Sequence, residues 1–351
     1  MKIVFLGLSI TSSWGNGHAT TYRGLIRELV RRGHDVTFLE RDKPWYADNR
    51  DLPEPPFGTT ILYDSLVDLT EHAATVADAD AVIVGSYVPD GVDVARWVFK
   101  TAAAPVCFYD IDTPVTLARL RRGDTEYLDA ADIPKFAAYL SFTGGPTLDV
   151  LERQFASPRA LPFYCNVDRE SYFPDDTPTA YDLSYLGTYS DDRQPTLDRS
   201  LLRVARQWRD GRFCVAGPLY PETIYWPTNV KRIEHLPPAE HRGFYNESRW
   251  TLNVTRDDMI AAGWSPSVRL FEAAACATPV VSDRWDGLGE FFELGREIIV
   301  ADTTDEALAV VRDMPHDEAE AIGLAAREKV LAKHTAAKRA EELEKCLIDL
   351  L

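Results

Sequence analysis

The chain has 351 residues, 45% of them hydrophobic and 26% charged, a globular composition that excludes a largely disordered chain. Its 55 acidic residues against 38 basic ones give a formal charge of −17, which argues against nucleic acid as a partner, because such binders present a basic face. The five cysteines, Cys107, Cys165, Cys214, Cys276 and Cys346, stand far apart with no C-x-x-C pair, so neither a disulfide framework nor a zinc site is expected and a reducing, cytoplasmic compartment fits.

Domains of about 100–200 residues predict two of them here. No apolar run approaches the roughly 20 residues of a membrane span, which leaves peripheral membrane attachment open. The opening MKIVFLGLSI runs into a Gly-containing loop rather than a cleavage site, and reads as a buried strand. From there strands and helices alternate: a strand at 3–8, a helix at 21–32 with Leu25, Ile26, Leu29 and Val30 on one face, and a stop at Gly33. Strands follow at 36–39, 81–84, 106–109 and 138–142, with helices at 92–100 and 146–155. Apolar strands alternating with helices predict parallel β-α units. Residues 161–180 carry Pro162, Pro174 and Pro178 with little periodicity, which places a linker at 166–180 between domains at 1–165 and 181–351. The rhythm then restarts, with strands at 183–186, 213–216, 230–235, 251–254, 279–282 and 297–300. Helices are expected at 196–208, 239–248, 266–275 and from about 317 to the end. The expected fold class is α/β, two doubly wound parallel-sheet halves with a ligand cleft at the carboxyl ends of the strands.

Four segments carry candidate chemistry. The loop SSWGNGH at 12–18 holds Gly15, Asn16, Gly17 and His18. A third glycine at dinucleotide spacing would fall at Thr20, so that fingerprint is broken, although Glu40 ends the second strand where a nicotinamide-ribose acid would sit. His18 reads either as a proton carrier or as a local cap at Thr20 and Thr21. The segment WSPSVRLFEAAA at 264–275 predicts a helix capped by Ser265 with Pro266 first. Its N-terminus, Ser267 and Arg269 suit a phosphate. Glu272, in an otherwise apolar helix, suits a pair of ribose hydroxyls, the alternative being an Arg269–Glu272 pair on a solvated face. The turn Gly187-Thr188 with Arg193 suits a diphosphate or is an ordinary turn. In Asp110-Ile111-Asp112-Thr113-Pro114, Asp112 or Thr113 reads as a helix cap, and Asp110 as a holder of an acceptor hydroxyl. No His/Asp/Glu set has usable metal spacing. Trp14, Trp45, Tyr46, Trp226, Trp264 and Trp285 fall in loops, where they stack on sugars or bases or pack locally.

Taken together these blocks resemble the GT-B glycosyltransferases, most closely their group 1 or CgeB-like (spore maturation protein-like) branch. The likeness rests on RGHDVTF at 32–38, PFYCNVD at 162–168 with YFP at 172–174, FEAAACATPVVS at 271–282, and DGLGEF at 286–291 with GRE at 295–297. The resemblance implies a GT-B fold and transfer of a sugar from a nucleotide-diphosphate sugar, of UDP type, to an acceptor these residues do not name. It implies a retaining, metal-independent reaction and no bound cofactor. Glu272 would hold the donor ribose; Arg269, Ser267, Gly187, Thr188 and Arg193 the diphosphate; Gly217, His235 and Leu236 would border the base. The first half, with His18 and Asp110, would shape the acceptor side, and the last helix would return to it. Many retaining members carry Glu eight residues before the ribose Glu, where this chain has Trp264; Ala277 stands where many have Gly. The alternatives are a nucleotide-sugar epimerase, a non-catalytic sugar or nucleotide binder and, least favoured, a nicotinamide dehydrogenase.

Overall fold

The apolar runs of the first half become one seven-stranded sheet, all parallel. Its strands are β1 (Lys2–Gly7), β2 (Asp35–Arg41), β3 (Thr59–Tyr63), β4 (Ala81–Gly85), β5 (Val106–Asp110), β6 (Ala138–Ser141) and β7 (Ala160–Pro162). Their order is β3-β2-β1-β4-β5-β6-β7, and Phe5 of β1 lies level with Phe38 of β2 and Ile83 of β4. Beyond Lys2, every residue of β1 is buried, as is every residue of β4, β5 and β6. That is the pattern of strands covered by helices on both faces. The second sheet holds β8 (Leu183–Leu186), β9 (Phe213–Ala216), β10 (Val230–Ile233), β11 (Thr251–Asn253), β12 (Val280–Ser282) and β13 (Ile299–Val300), in the order β10-β9-β8-β11-β12-β13. It too is parallel throughout.

This computed structural model describes residues 1–14 and 17–351. They divide into two units: Met1–Asn166 with Ala336–Leu351, and Val167–Thr335. The core of the first gathers Leu6, Val84, Phe108, Phe136 and Tyr139; that of the second gathers Tyr185, Leu201, Trp250, Leu252 and Val281. In the first unit the closing helix Ala336–Ile348 packs on the helix His18–Arg31, and Glu344 joins both Arg32 and the His34 ring at its edge.

Three details depart from the sequence expectations. The first helix begins at His18, not Thr21, with Gly17 as its N-cap, and Thr20 turns its hydroxyl back to the Gly17 carbonyl; His18 is therefore a helical residue and not a cap. The helix expected at 266–275 begins at Val268, with Ser267 at the cap position. Ser267 does not bond its own helix, because its hydroxyl is drawn to Asn253 (2.9 Å). Finally, the segment 166–180, expected as a linker, is mostly exposed but is pinned to the second unit at two aromatic residues. Tyr172 is buried beside Tyr245, Asn246 donates to the Phe173 carbonyl, and the Arg242 guanidinium lies 4.2 Å over the Phe173 ring. Two adjacent aromatic rings bury too much area to be left in water.

Candidate functional site

In the second unit the carboxyl ends of β8, β11 and β12 meet the start of the helix Val268–Ala275. Arg269 is buried there and is held from three sides. Its Nε donates to the Leu186 carbonyl at the end of β8 (2.5 Å), one terminal nitrogen donates to Asn253 Oδ1 at the end of β11 (3.1 Å), and the guanidinium lies 4.9 Å from the Tyr185 ring centre. Asn253 is the shared anchor. Its Oδ1 takes both Arg269 and Ser267, while its Nδ2 donates to Ser282 (3.0 Å) and Thr255 (3.2 Å). Thr255 in turn donates its N–H and hydroxyl to Asp283 (3.0 and 2.8 Å), whose carboxyl burial pushes up against the pull of those bonds. A planar guanidinium fixed in this way presents its remaining N–H groups in one direction. Asn253→Ala would leave Arg269 and Ser267 without their common acceptor. It should cost about 1–3 kcal/mol of stability by urea denaturation; unchanged stability would mean that Asn253 is not the anchor.

Glu272 lies five residues beyond the cap, about 7.5 Å along the axis at 1.5 Å per residue. It is 5% exposed. The Tyr245 hydroxyl donates to Oε2 (3.2 Å), and His241 Nδ1 stands 3.9 Å away. His241 Nε2 faces the Leu236 carbonyl (3.2 Å) and so carries the ring hydrogen, which leaves Nδ1 to accept from Tyr172 (3.4 Å). Burial, then the nearby Glu272 charge, pushes the Tyr172 and Tyr245 phenols well above their ordinary values. Both phenols therefore stay protonated, Tyr245 donating to the carboxylate and Tyr172 to the His241 ring beside it. The solvated Arg269–Glu272 pair is not formed: each group is buried and held by its own partners.

Two glycines shape the neighbouring turn. Gly187 N–H reaches the Ala216 carbonyl and Gly217 N–H the Ile233 carbonyl. A Cβ on Gly187 would meet Arg269 at 2.9 Å, so the backbone passes the guanidinium closely. Arg193 folds over the turn, donating to the Thr188 carbonyl (2.7 Å) and Ser190 (2.9 Å). Arg232, which no sequence motif marks, donates to the Val215 and Gly217 carbonyls and lies over Tyr220 (4.2 Å) and Trp226 (4.6 Å). His235 is exposed and Leu236 half-buried; Leu236 is tied to the Glu272 group through His241. Trp264 spends its indole N–H on Glu290 (2.6 Å) and its peptide N–H on Asp286 (2.6 Å).

The first unit holds the other candidates. Gly15 and Asn16 lie outside the described residues, and Gly17 is exposed. The His18 ring packs 5.9 Å from Phe142, and burial pushes its pKa down to about 4. His18 is therefore neutral at pH 7. Because the unfolded chain binds this proton near 6.5, stability should fall as pH drops from about 6.5 to 4. His18→Gln should flatten that stretch of the urea-denaturation profile; an unaltered slope would refute the assignment. Asp110, expected to hold an acceptor hydroxyl, is corrected by its surroundings. It is 0% exposed and accepts from Tyr139 (2.5 Å), Thr116 (2.9 Å) and the Asp112 N–H (3.2 Å). Its carboxyl is enclosed in the fold, and burial raises its pKa. Asp112 stands at the cap of Thr113–Arg121 without bonding it, and accepts from Tyr87 instead (2.9 Å). Glu40 is likewise enclosed, which leaves no face for a nicotinamide ribose.

Residues 193–345 match the family described as glycosyl transferase-like. The match takes in less than half of the chain and makes this part similar to glycosyltransferases. It contains Arg193, Gly217, Asn253, Ser267, Arg269 and Glu272, while Gly187 and Thr188 lie just before the matched stretch. Over its whole length the chain shares its fold with solved structures. Sucrose-phosphate synthase from Thermosynechococcus elongatus aligns at 14% identity and TM-score 0.71, over 100% of this chain and 99% of that one. Anabaena HepE in complex with UDP-glucose aligns at 13% and 0.69, over 100% of both. An α-glucosyltransferase in complex with UDP aligns at 12% and 0.74, over 99% of this chain and 100% of that one, and has also been solved with UDP and a 13-mer DNA. The shared architecture is GT-B, two parallel-sheet α/β domains. None of the curated proteins matches the chain. Among the described residues no helix is long and apolar enough to cross a membrane.

Proposed function

We propose that the protein transfers a sugar from a uridine-diphosphate sugar to an acceptor, with retention of configuration and without a bound metal, as a member of the CgeB-like branch. The reading is carried by one observation: a buried guanidinium and a buried carboxylate three residues apart on one helix, each held by separate partners. Such a pair suits a ligand that offers an anion beside a hydroxyl pair, as a nucleoside diphosphate does. In this reading Arg269, Ser267 and the N–H groups at the helix start take the diphosphate, with Gly187, Thr188 and Arg193 bordering it. Glu272 takes the ribose hydroxyls, and Gly217, His235 and Leu236 border the base. As the bond from sugar to diphosphate breaks, negative charge grows on the leaving oxygens. A fixed guanidinium stabilises that charge more than it stabilises the ground state. UDP rather than another nucleotide is favoured by the UDP complexes of HepE and the α-glucosyltransferase. Neutral His18 belongs to the acceptor side. The charge of −17 favours an acceptor other than nucleic acid.

A thermal-shift series with UDP, ADP, GDP and UDP-sugars tests the reading. A ligand at 100 times its Kd stabilises by about 2.7 kcal/mol, and UDP should do so where ADP and GDP do not. Turnover should survive EDTA, and NMR of the first-formed product should show the donor's anomeric configuration. No shift with any nucleotide would end the proposal. Conversion of the donor sugar with no acceptor present would replace it with an epimerase.

A further inference from the structure

In a doubly wound sheet the loop after the first strand is the common seat of a ligand phosphate, because its N–H groups face the strand ends. In this chain the seat is filled from within. Glu40, on β2 beside β1, is 0% exposed. Its Oε2 accepts from the N–H groups of Ile10 (2.7 Å) and Thr11 (3.0 Å), and its Oε1 from the hydroxyls of Ser9 (2.9 Å) and Thr11 (2.6 Å). Successive N–H groups converging on one oxygen form a nest, an anion-binding concavity. The turn is also braced from outside: Ser12 N–H donates to the Ser9 hydroxyl (3.0 Å), Arg23 to the Ile10 carbonyl (2.8 Å) and Arg50 to the Thr11 hydroxyl (3.1 Å). Burying a carboxylate is costly unless its oxygens are fully engaged. Four donors within 3.0 Å meet that demand.

We propose that Glu40 is a built-in anion: it closes the nest of the first unit to phosphate, so that the chain takes one nucleotide and not two, and it is the positioning residue that fixes the Ser9–Thr11 turn for the acceptor. The acceptor clause rests on the transfer reading; the anion clause does not. The two hydroxyls on Oε1 can rotate to accept as well as donate. Glu40→Gln therefore keeps the shape of the nest without its charge, whereas Glu40→Ala empties it.

The test is amide hydrogen exchange at Ile10 and Thr11, with sodium formate compared against sodium chloride at equal ionic strength. In Glu40→Ala these amides should exchange roughly tenfold faster or more, the factor expected for one lost hydrogen bond. Formate should restore their protection, while Glu40→Gln should stay close to wild type. Calorimetry should give one UDP site in the wild-type chain and the same UDP affinity in Glu40→Ala, whose acceptor KM alone should rise. If Glu40→Ala does not fold, formate present during refolding should recover it. Formate without effect in either format, or a second UDP site in the wild type, would overturn the anion assignment. A matching loss of UDP affinity would overturn the positioning role. A wild-type chain that binds no UDP would end the transfer reading and leave the formate result standing.

Discussion

Replacing Glu272 by alanine is expected to lower kcat/KM for a UDP-sugar by at least a hundredfold. Hydrogen bonds to a charged group contribute about 1.5–3 kcal/mol each, and a ribose offers two hydroxyls, so about 3–6 kcal/mol of binding would go, or a factor of roughly 10² to 10⁴. The fold should survive with a smaller penalty. The Tyr245 hydroxyl would lose its 3.2 Å acceptor in a buried pocket, at a cost of about 1–3 kcal/mol. Glu272→Gln keeps one acceptor oxygen and should fall between. Steady-state kinetics beside a thermal melt separates the two effects. Turnover within a few-fold of wild type in a folded Glu272→Ala protein would take the ribose role away from this residue.

Gly217→Ala is expected to give the largest structural effect of a single methyl group. Gly217 has φ +140°, and a Cβ there would lie 2.0 Å from the Gly187 carbonyl oxygen and 3.2 Å from the Thr188 nitrogen. Both obstacles are backbone, so no side-chain rotation relieves them. The unfavourable dihedral alone costs about 1–3 kcal/mol, and the Gly187–Thr188 turn must also move, taking its Tyr220 hydrogen bond (3.1 Å) with it. Urea denaturation should show about 3 kcal/mol lost or more, and UDP affinity should fall with it. Gly243→Ala is the control. That glycine sits inside the helix Pro238–Asn246, and a methyl group added there would have no neighbour within 4 Å, so alanine should gain about 0.5–1 kcal/mol. A Gly217→Ala protein as stable as wild type would mean that the turn is not the fixed element described above.

The strands most legible in the sequence are those buried on both faces. AVIVG at Ala81–Gly85 and VCFYD at Val106–Asp110 are unbroken apolar runs that no amphipathic helix would show. β3 and β7 escape a reading of the sequence because they are sheet edges: TTILY at Thr59–Tyr63 is half-exposed and ALP at Ala160–Pro162 is three residues long. Within the site, Arg269 and Glu272 stand out in sequence because charge is rare in an apolar helix. Asn253 does not: a single amide at a strand end has no local signature, and apart from nearby Thr255 its side-chain partners lie 14, 16 and 29 residues away. Tyr172 and His241 are hidden for the same reason, since they join Glu272 only through tertiary packing. Asp110 misleads in the opposite direction. A carboxylate at a strand's carboxyl end reads as presented to a ligand, and only the positions of Tyr139 and Thr116 show it enclosed.

The division of the chain also orders its biosynthesis. Val167–Thr335 is one uninterrupted stretch whose two ends pair, Val167 with Thr335, so it can mature as soon as it has left the ribosome. The first unit cannot, because the helix that covers His18–Arg31 is encoded after the whole of the second unit. The half translated first is the half completed last, and until Ala336–Ile348 arrives a nascent chain shows the apolar surface that Leu343 and Leu347 cover to the chaperones around it. A stop codon at position 336 should therefore spare the melting transition of the second unit while consigning the first to aggregation.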